Sequence, residues 1–299
     1  MLGGALVALW DWPAIFVVNV AVALAGLALA LRWLPRDPQH AGGIDLGLVR
    51  RLVDLPGIAL FAALVAGLLA LLLSLPTAPL WWLAPLALAA AGALVAWERR
   101  RAEPFMDVRM LAANRALLAV YAQYAAVNVA FFGVFFSVPL WLERVRGFSA
   151  GTAGLLILPI AGVGVISTPL AARLIARRGI RAALVTGSLA LLAGTLLLRA
   201  FEPATPLLVV LAVGAVLGIP NGFNNLGLQS ALYAAAEPQR TGAAAGLFQT
   251  FRYVGAVLST SLIGIVFAGG VDTAGLHEIA LVLAGVGVAV LAASAARPR

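Results

Sequence analysis

The sequence of 299 residues contains no cysteine and no lysine, two histidines, and only 11% charged residues. Each shortage excludes a class of chemistry. Without cysteine there is no disulfide and no thiolate metal site, and the redox compartment leaves no trace. His40 and His277 are too few for a metal cluster, and no HExxH, GxSxG or P-loop pattern occurs, so neither a metal nor a cofactor is expected. Soluble domains run to about 25% charged and about 45–50% apolar residues. Here 63% of residues are hydrophobic and the mean hydropathy is +1.04. A soluble enzyme, a nucleic-acid-binding domain and a disordered chain are excluded, which leaves a polytopic membrane protein whose first partner is the lipid bilayer. The net charge of +8 then calls for no nucleic acid, because basic residues anchor the cytoplasmic loops of membrane proteins.

What is present is a series of long apolar runs separated by short polar clusters. One crossing takes roughly 20 residues. Runs of that order lie at Pro13–Leu31, Pro56–Leu75, Leu80–Trp97, Leu117–Leu142, Thr152–Ile175, Arg181–Ala200, Pro206–Gly227, Ala244–Ala268 and Leu276–Ala295. Gly and Pro inside such runs suit membrane helices, and the period-2 alternation of a β-barrel is missing. The expected fold is an all-α integral membrane protein of about nine transmembrane helices. Met1–Trp10 is apolar, too short to span and without a secretory cleavage motif, and Asp11 and Pro13 follow it. It reads as the last turns of a helix that begins upstream.

Arginine placement sets the expected orientation. If every run crosses, Arg32, Arg36, Arg50, Arg51, Arg99–Arg101, Arg109, Arg115, Arg173, Arg177, Arg178, Arg181, Arg240, Arg297 and Arg299 share one side. The other side carries Arg144, Arg146 and Arg199 together with Asp11, Glu143, Glu202 and Asp272. The positive-inside rule makes the arginine-rich side cytoplasmic, the C-terminus included. Residues 1–104 hold three runs and 105–299 hold six, with Glu98–Pro104 as the boundary.

Two runs are polar exceptions. In the seventh, Gly214, Gly218 and Gly222 repeat every four residues, spacing that lets another helix backbone approach closely. Asn221, Asn225 and Gln229 repeat at the same interval and share an arc of that helix. Such a face either lines a substrate path or bonds helices together. In the eighth run Gln249, Arg252 and Tyr253 share a face. A charge inside a span costs about 2.5–3.5 kcal/mol on insertion scales and usually faces the interior or a cavity, so Arg252 is expected inside, holding the seventh and eighth spans in register. Gln123 and Asn128 of the fourth run are further path candidates. No acidic residue lies mid-span, which disfavours a membrane enzyme.

Several segments resemble the major facilitator superfamily, and within it the fourteen-span drug:proton antiporters. Trp12-Pro-Ala-Ile-Phe16-Val-Val-Asn19 resembles the start of that branch's sixth span, and Leu2-Gly3-Gly4 the tail of its antiporter motif. Val138-Pro139-Leu140-Trp141-Leu142, with Arg146-Gly147-Phe148-Ser149 and Ala153-Gly154, resembles the end of the ninth span and the start of the tenth. Arg173, Arg177, Arg178, Gly179 and Arg181 match the superfamily's cytoplasmic loop signature, with Ala176 where that signature has aspartate. Asn225 to Gly264, with Gly242, Gly246, Arg252 and Gly255, resembles the last cytoplasmic loop and the thirteenth span.

The resemblance implies a superfamily helical bundle lacking most of its first half, the nine runs being spans six to fourteen. Residues 1–31 would end the first half, 32–104 would hold a cytoplasmic loop and the extra pair of spans, and 105–299 would be the six-span second half. The implied function is proton-coupled efflux of small lipophilic or cationic compounds across the cell membrane, with protons as coupling ion in a full-length protein. The alternative is a half-transporter or non-transporting subunit that assembles with another half.

Overall fold

A computed structural model describes residues 13–33, 54–75, 78–101, 114–238 and 241–297. Among them the regular structure is helical throughout: α1 (Pro13–Trp33), α2 (Leu55–Ser74), α3 (Leu83–Glu98), α4 (Arg115–Arg144), α5 (Ala150–Leu156), α6 (Leu158–Leu197), α7 (Leu207–Ala235), α8 (Thr241–Val266) and α9 (Thr273–Ala295). All nine apolar runs are helical. Among the described residues six stretches are long and apolar enough to cross a membrane, one of them the 51-residue run Ala150–Ala200, which holds two of the expected crossings. The α3 helix is shorter at 16 residues, and α8, which carries Gln249 and Arg252, is not among the six. Met1–Trp10, His40 and the loop Arg36–Arg51 lie outside the described residues.

The fifth and sixth runs differ from a simple helix–loop–helix. The fifth is interrupted at Ile157, between α5 and α6, where Pro159 supplies no backbone N–H to continue the ladder. The expected loop between the fifth and sixth runs is instead a sharp reversal inside α6. Gly179 has φ 81° and ψ 172°, a conformation that side chains disfavour, and it divides α6 into a first arm, 158–178, and a second arm, 180–197.

Short polar residues fix the other ends. Asp54, Asn114, Ser149 and Asp272 each accept a hydrogen bond from the backbone N–H three residues on, satisfying a donor that the first turn leaves open. The Asn114 side chain also donates to Ala235 O (2.8 Å), tying the start of α4 to the end of α7. At the opposite end of α4, Trp141 Nε1 donates to Thr273 Oγ1 (3.1 Å) and Arg146 to Thr205 O (2.8 Å). His277 Nε2 lies 2.8 Å from Phe201 O, so this histidine joins α9 to the turn after α6.

Helices α4 to α9 share a core. One section gathers Val134, Trp141, Leu198, Phe201 and Leu283, and the section toward the arginine-rich end gathers Leu117, Tyr121, Leu184, Leu228 and Phe248. The α2 and α3 helices pack as a pair, and α8 touches α2. The described side chains of α1 are exposed along nearly the whole helix.

Candidate functional site

The polar seventh run becomes α7, which lies between the two arms of α6. Gly214, Gly218 and Gly222 face the first arm at Pro159, Ile160, Val163 and Ser167. At Gly218 and Gly222 the approach is backbone to backbone, as a residue without Cβ permits. The second arm meets a different stripe of α7. Leu217 fills the space over Gly194, Leu184 that over Gly227, and Asn224 that over Gly187.

The eight residues proposed for the path do not form one group. Asn221 and Asn225 are half-buried, with Asn225 Nδ2 donating to Asn221 Oδ1 at 2.7 Å. Buried Asn128 of α4 joins them around a void of about 20 Å³, walled by Val127, Phe131, Ile160 and Leu217. That is room for a single water and not for a drug-sized molecule. Gln229 lies on the exposed side of α7, because its neighbours Gly227 and Leu228 take the buried side. Gln249, Arg252 and Tyr253 are exposed on α8.

Arg252 is therefore not the interior clamp between the seventh and eighth spans that its position in the sequence led one to expect. Its neighbour is α4: the guanidinium stands 5.9 Å from the centroid of the Phe132 ring. The α8 helix packs along α4 through stacked Tyr121–Phe251 and Tyr124–Phe248 pairs, and a Tyr121 hydroxyl donates to Ala244 O (3.0 Å). Gly255 lies against the α4 backbone, where an added Cβ would come within 2.6 Å of Ala125 O. With one face committed to aromatic packing against α4, Gln249 and Tyr253 are left outward, and Arg252 lies exposed at the flank of that contact beside Phe132.

Gln123 is buried in a network rather than a path. Its Nε2 donates to Ser294 Oγ (2.6 Å), Ser294 lies 3.0 Å from Ser188 Oγ, and Arg297 donates to Gln123 Oε1 (3.0 Å). Burial holds the Arg297 pKa below its usual value by penalising the charged form. In the loop signature, Arg173, Arg177 and Arg178 are exposed at the end of the first arm, and Arg181 opens the second arm. Cations at a helix C-terminus complement its dipole.

Sequence reasoning missed two features. Asn224 is fully buried and neither its Nδ2 nor its Oδ1 makes a hydrogen bond. An orphaned buried amide costs about 1–3 kcal/mol. The Asn224-Asn225 doublet was the available signal, but a four-residue spacing rule selects only its second member. Asp54 and Glu98 are buried at the junction of α2 and α3. Trp97 Nε1 donates to both Asp54 oxygens (3.0 and 3.1 Å), and Arg101 Nε lies 3.8 Å from Asp54 Oδ1. A polar loop sequence gives no warning that a tryptophan indole will draw an acid inward.

The fold and its polar faces define a multi-pass membrane protein, a helical bundle in which glycine stripes seat one helix between two others. The Major Facilitator Superfamily model matches residues 1–260, and the chain belongs to that family of membrane transporters, which are not enzymes. It is 34% identical over 281 residues to the uncharacterized MFS-type transporter YwoD of Bacillus subtilis, covering 94% of this chain and 62% of that one. It is 30% identical to the puromycin resistance protein pur8 of Streptomyces alboniger, covering 89% and 53%. It is 28% identical to the multidrug resistance protein Stp of Mycobacterium tuberculosis, covering 89% and 49%. The chain thus spans about half to three-fifths of the length of these relatives.

Proposed function

We propose that this chain forms the second part of a fourteen-span exporter of small lipophilic or cationic compounds, coupled to protons, in the cell membrane. In this reading 105–299 is the six-span second half, 32–104 the loop and extra pair, and 1–31 the end of the first half. Gln229, Gln249, Arg252 and Tyr253 belong to the substrate path, with Asn221, Asn225 and Asn128 behind them. The observation that carries it is the outward polar face of α8. A guanidinium and an amide facing hydrocarbon would be costly, so water, substrate or a second helical half must cover them. The names of pur8 and Stp, a puromycin and a multidrug resistance protein, support drugs as the substrate class.

The same face supports the second reading as a half-transporter that needs a complement. The test is ethidium export by cells stripped of their own pumps. No mid-span carboxylate is available to take up a proton, so this chain reconstituted alone is expected to give no substrate-dependent proton flux. Co-production with the preceding half of a relative should restore uncoupler-sensitive export. Flux from the chain alone would remove the need for a complement. No export in either arrangement, with folded protein in the membrane, would sink the exporter reading.

Orientation is proposed from the arginine asymmetry, with the C-terminus and Arg177–Arg178 cytoplasmic. The chain has no cysteine, so single cysteines report without background. Gly269→Cys is preferable to a change at Asp272, because Asp272 caps α9 (2.7 Å to Gly275 N), whereas a side chain at 269 meets open space. An impermeant maleimide applied to intact cells should label position 269 and spare Arg178→Cys. The reverse pattern would overturn both the orientation and the span parity.

A further inference from the structure

At the arginine-rich end of the bundle, α4, α7, α9 and the second arm of α6 border an open cavity of about 570 Å³. This is the size of a small-molecule site, and it is far larger than the void beside Asn221. Seven of its twelve described lining residues are alanines, drawn from α4, α7 and α9, and Val120 and Ile180 add to the apolar wall. The polar lining is Arg181, Arg297 and Gln123, with no carboxylate among these residues. One Arg297 donor is taken by Gln123 Oε1. The Arg181 guanidinium makes no ion pair or hydrogen bond among the described residues. Two positive charges thus share an apolar chamber with nothing of opposite sign among its described lining residues.

Exposed Ala116 and Ala119 on α4 and Ala293 and Ala296 on α9 rim the mouth. From Ala116 to Gln123 the cavity runs about 10 Å along α4, at 1.5 Å per residue. Because α4 spans the membrane, that depth covers the headgroup layer and the start of the hydrocarbon. The second arm of α6 begins beside the chamber at Ile180, so its positive dipole end adds to the field of the arginines.

We propose that this cavity is a binding site for an anionic phospholipid of the adjoining leaflet, its phosphate held by Arg181 and Arg297 and its chains leaving over the alanine rim. A basic pocket between membrane helices suits an anionic headgroup. A zwitterionic lipid brings its own cation to two arginines, and a free anion leaves the apolar wall unused. The site lies inside the bundle, apart from the outward face of α8, and stands whether or not that face carries substrate.

The test uses the purified chain in detergent, with Ala116→Cys carrying a polarity-sensitive fluorophore at the mouth. Mixed micelles containing phosphatidylglycerol should give a saturable shift, at least tenfold tighter than phosphatidylcholine. Arg181→Gln combined with Arg297→Gln should weaken phosphatidylglycerol at least tenfold. Because Arg297 also bonds Gln123, a second variant leaves both arginines in place: Ala234→Phe puts a ring into the chamber and should weaken phosphatidylglycerol at least tenfold. Equal response to phosphatidylcholine would overturn the electrostatic assignment. Saturation by inorganic phosphate at similar concentration would make it a site for soluble anions and overturn the lipid. An unchanged shift in Ala234→Phe would place the lipid elsewhere.

Discussion

Gly222→Ala is expected to remove most of the folded protein from the membrane, Gly218→Ala to reduce it severely, and Gly214→Ala to leave it intact or raise its melting temperature. The three glycines share a stripe and a spacing, but not an environment. A Cβ at Gly222 would collide with Ser167 Oγ and come within 2.5 Å of Thr168 N and 2.6 Å of Ser167 C. At Gly218 it would lie 2.7 Å from Ile160 O and 2.9 Å from Pro159 O. Apart from Ser167 Oγ these are backbone atoms of the first arm of α6, which cannot turn aside as a flexible side-chain tip can. Overpacking of this kind typically costs about 1–3 kcal/mol and occasionally more. At Gly214 the nearest atoms are Ile160 Cγ1 at 3.6 Å and Pro159 Cβ at 3.7 Å, ordinary contact distances. There the helix propensity gained from alanine, up to about 1 kcal/mol, is not cancelled. Size-exclusion of detergent-solubilised protein, with a thermal melt of each variant, decides the order. Equal losses at 214 and 222 would show that α7 does not seat against α6 in this register.

Arg252→Ala is expected to change what is exported rather than how much protein folds. The folded chain loses one exposed cation–π contact with Phe132, worth about 0.5–1 kcal/mol. It also sheds a charge that costs about 2.5–3.5 kcal/mol within a span. Folded yield should therefore hold or rise. If the outward face of α8 lines the path, the charge acts directly on passing cations. Two like charges about 4 Å apart at an effective dielectric constant of about 20 repel by about 4 kcal/mol, and a third of that is already tenfold in an equilibrium. Relative to neutral drugs, lipophilic cations such as tetraphenylphosphonium should gain at least tenfold in Arg252→Ala and nothing in Arg252→Lys. The measurement is a panel of cationic and neutral compounds in cells carrying the complemented exporter, at matched membrane levels. Uniform loss across the panel that follows folded yield would remove Arg252 from the path.

The amides of α7 show how far a spacing rule reaches. Steps of four residues place Asn221, Asn225 and Gln229 on one arc, and that geometry holds for any α-helix. What covers the arc changes along its length. The first arm of α6 covers it at Asn221, whose side chain fills the space over Gly164, and leaves it open by Gln229. Asn224 falls outside the arc and is sealed because the second arm passes on that side, with Gly187 opposite. Arg252 shows the same limit. Its charge predicts that it seeks a partner, but α8 gives its aromatic face to Tyr121 and Tyr124 of α4, and the arginine is turned outward with Phe132 as its neighbour.

Helical class was therefore settled by the sequence alone, because it depends on the length of the apolar runs and on backbone groups that must bond within them. The glycine needed for the α6 reversal was also in plain view, although the tightness of that turn was not. Tertiary structure decided which helix fills each groove. The closeness of α7 to both arms of α6, the burial of Asp54 by Trp97, and the chamber between Arg181 and Arg297 all join residues far apart in the chain. A local pattern marks a face as small, polar or charged. Only the packing of distant segments fixes whether helix, water or lipid lies against it.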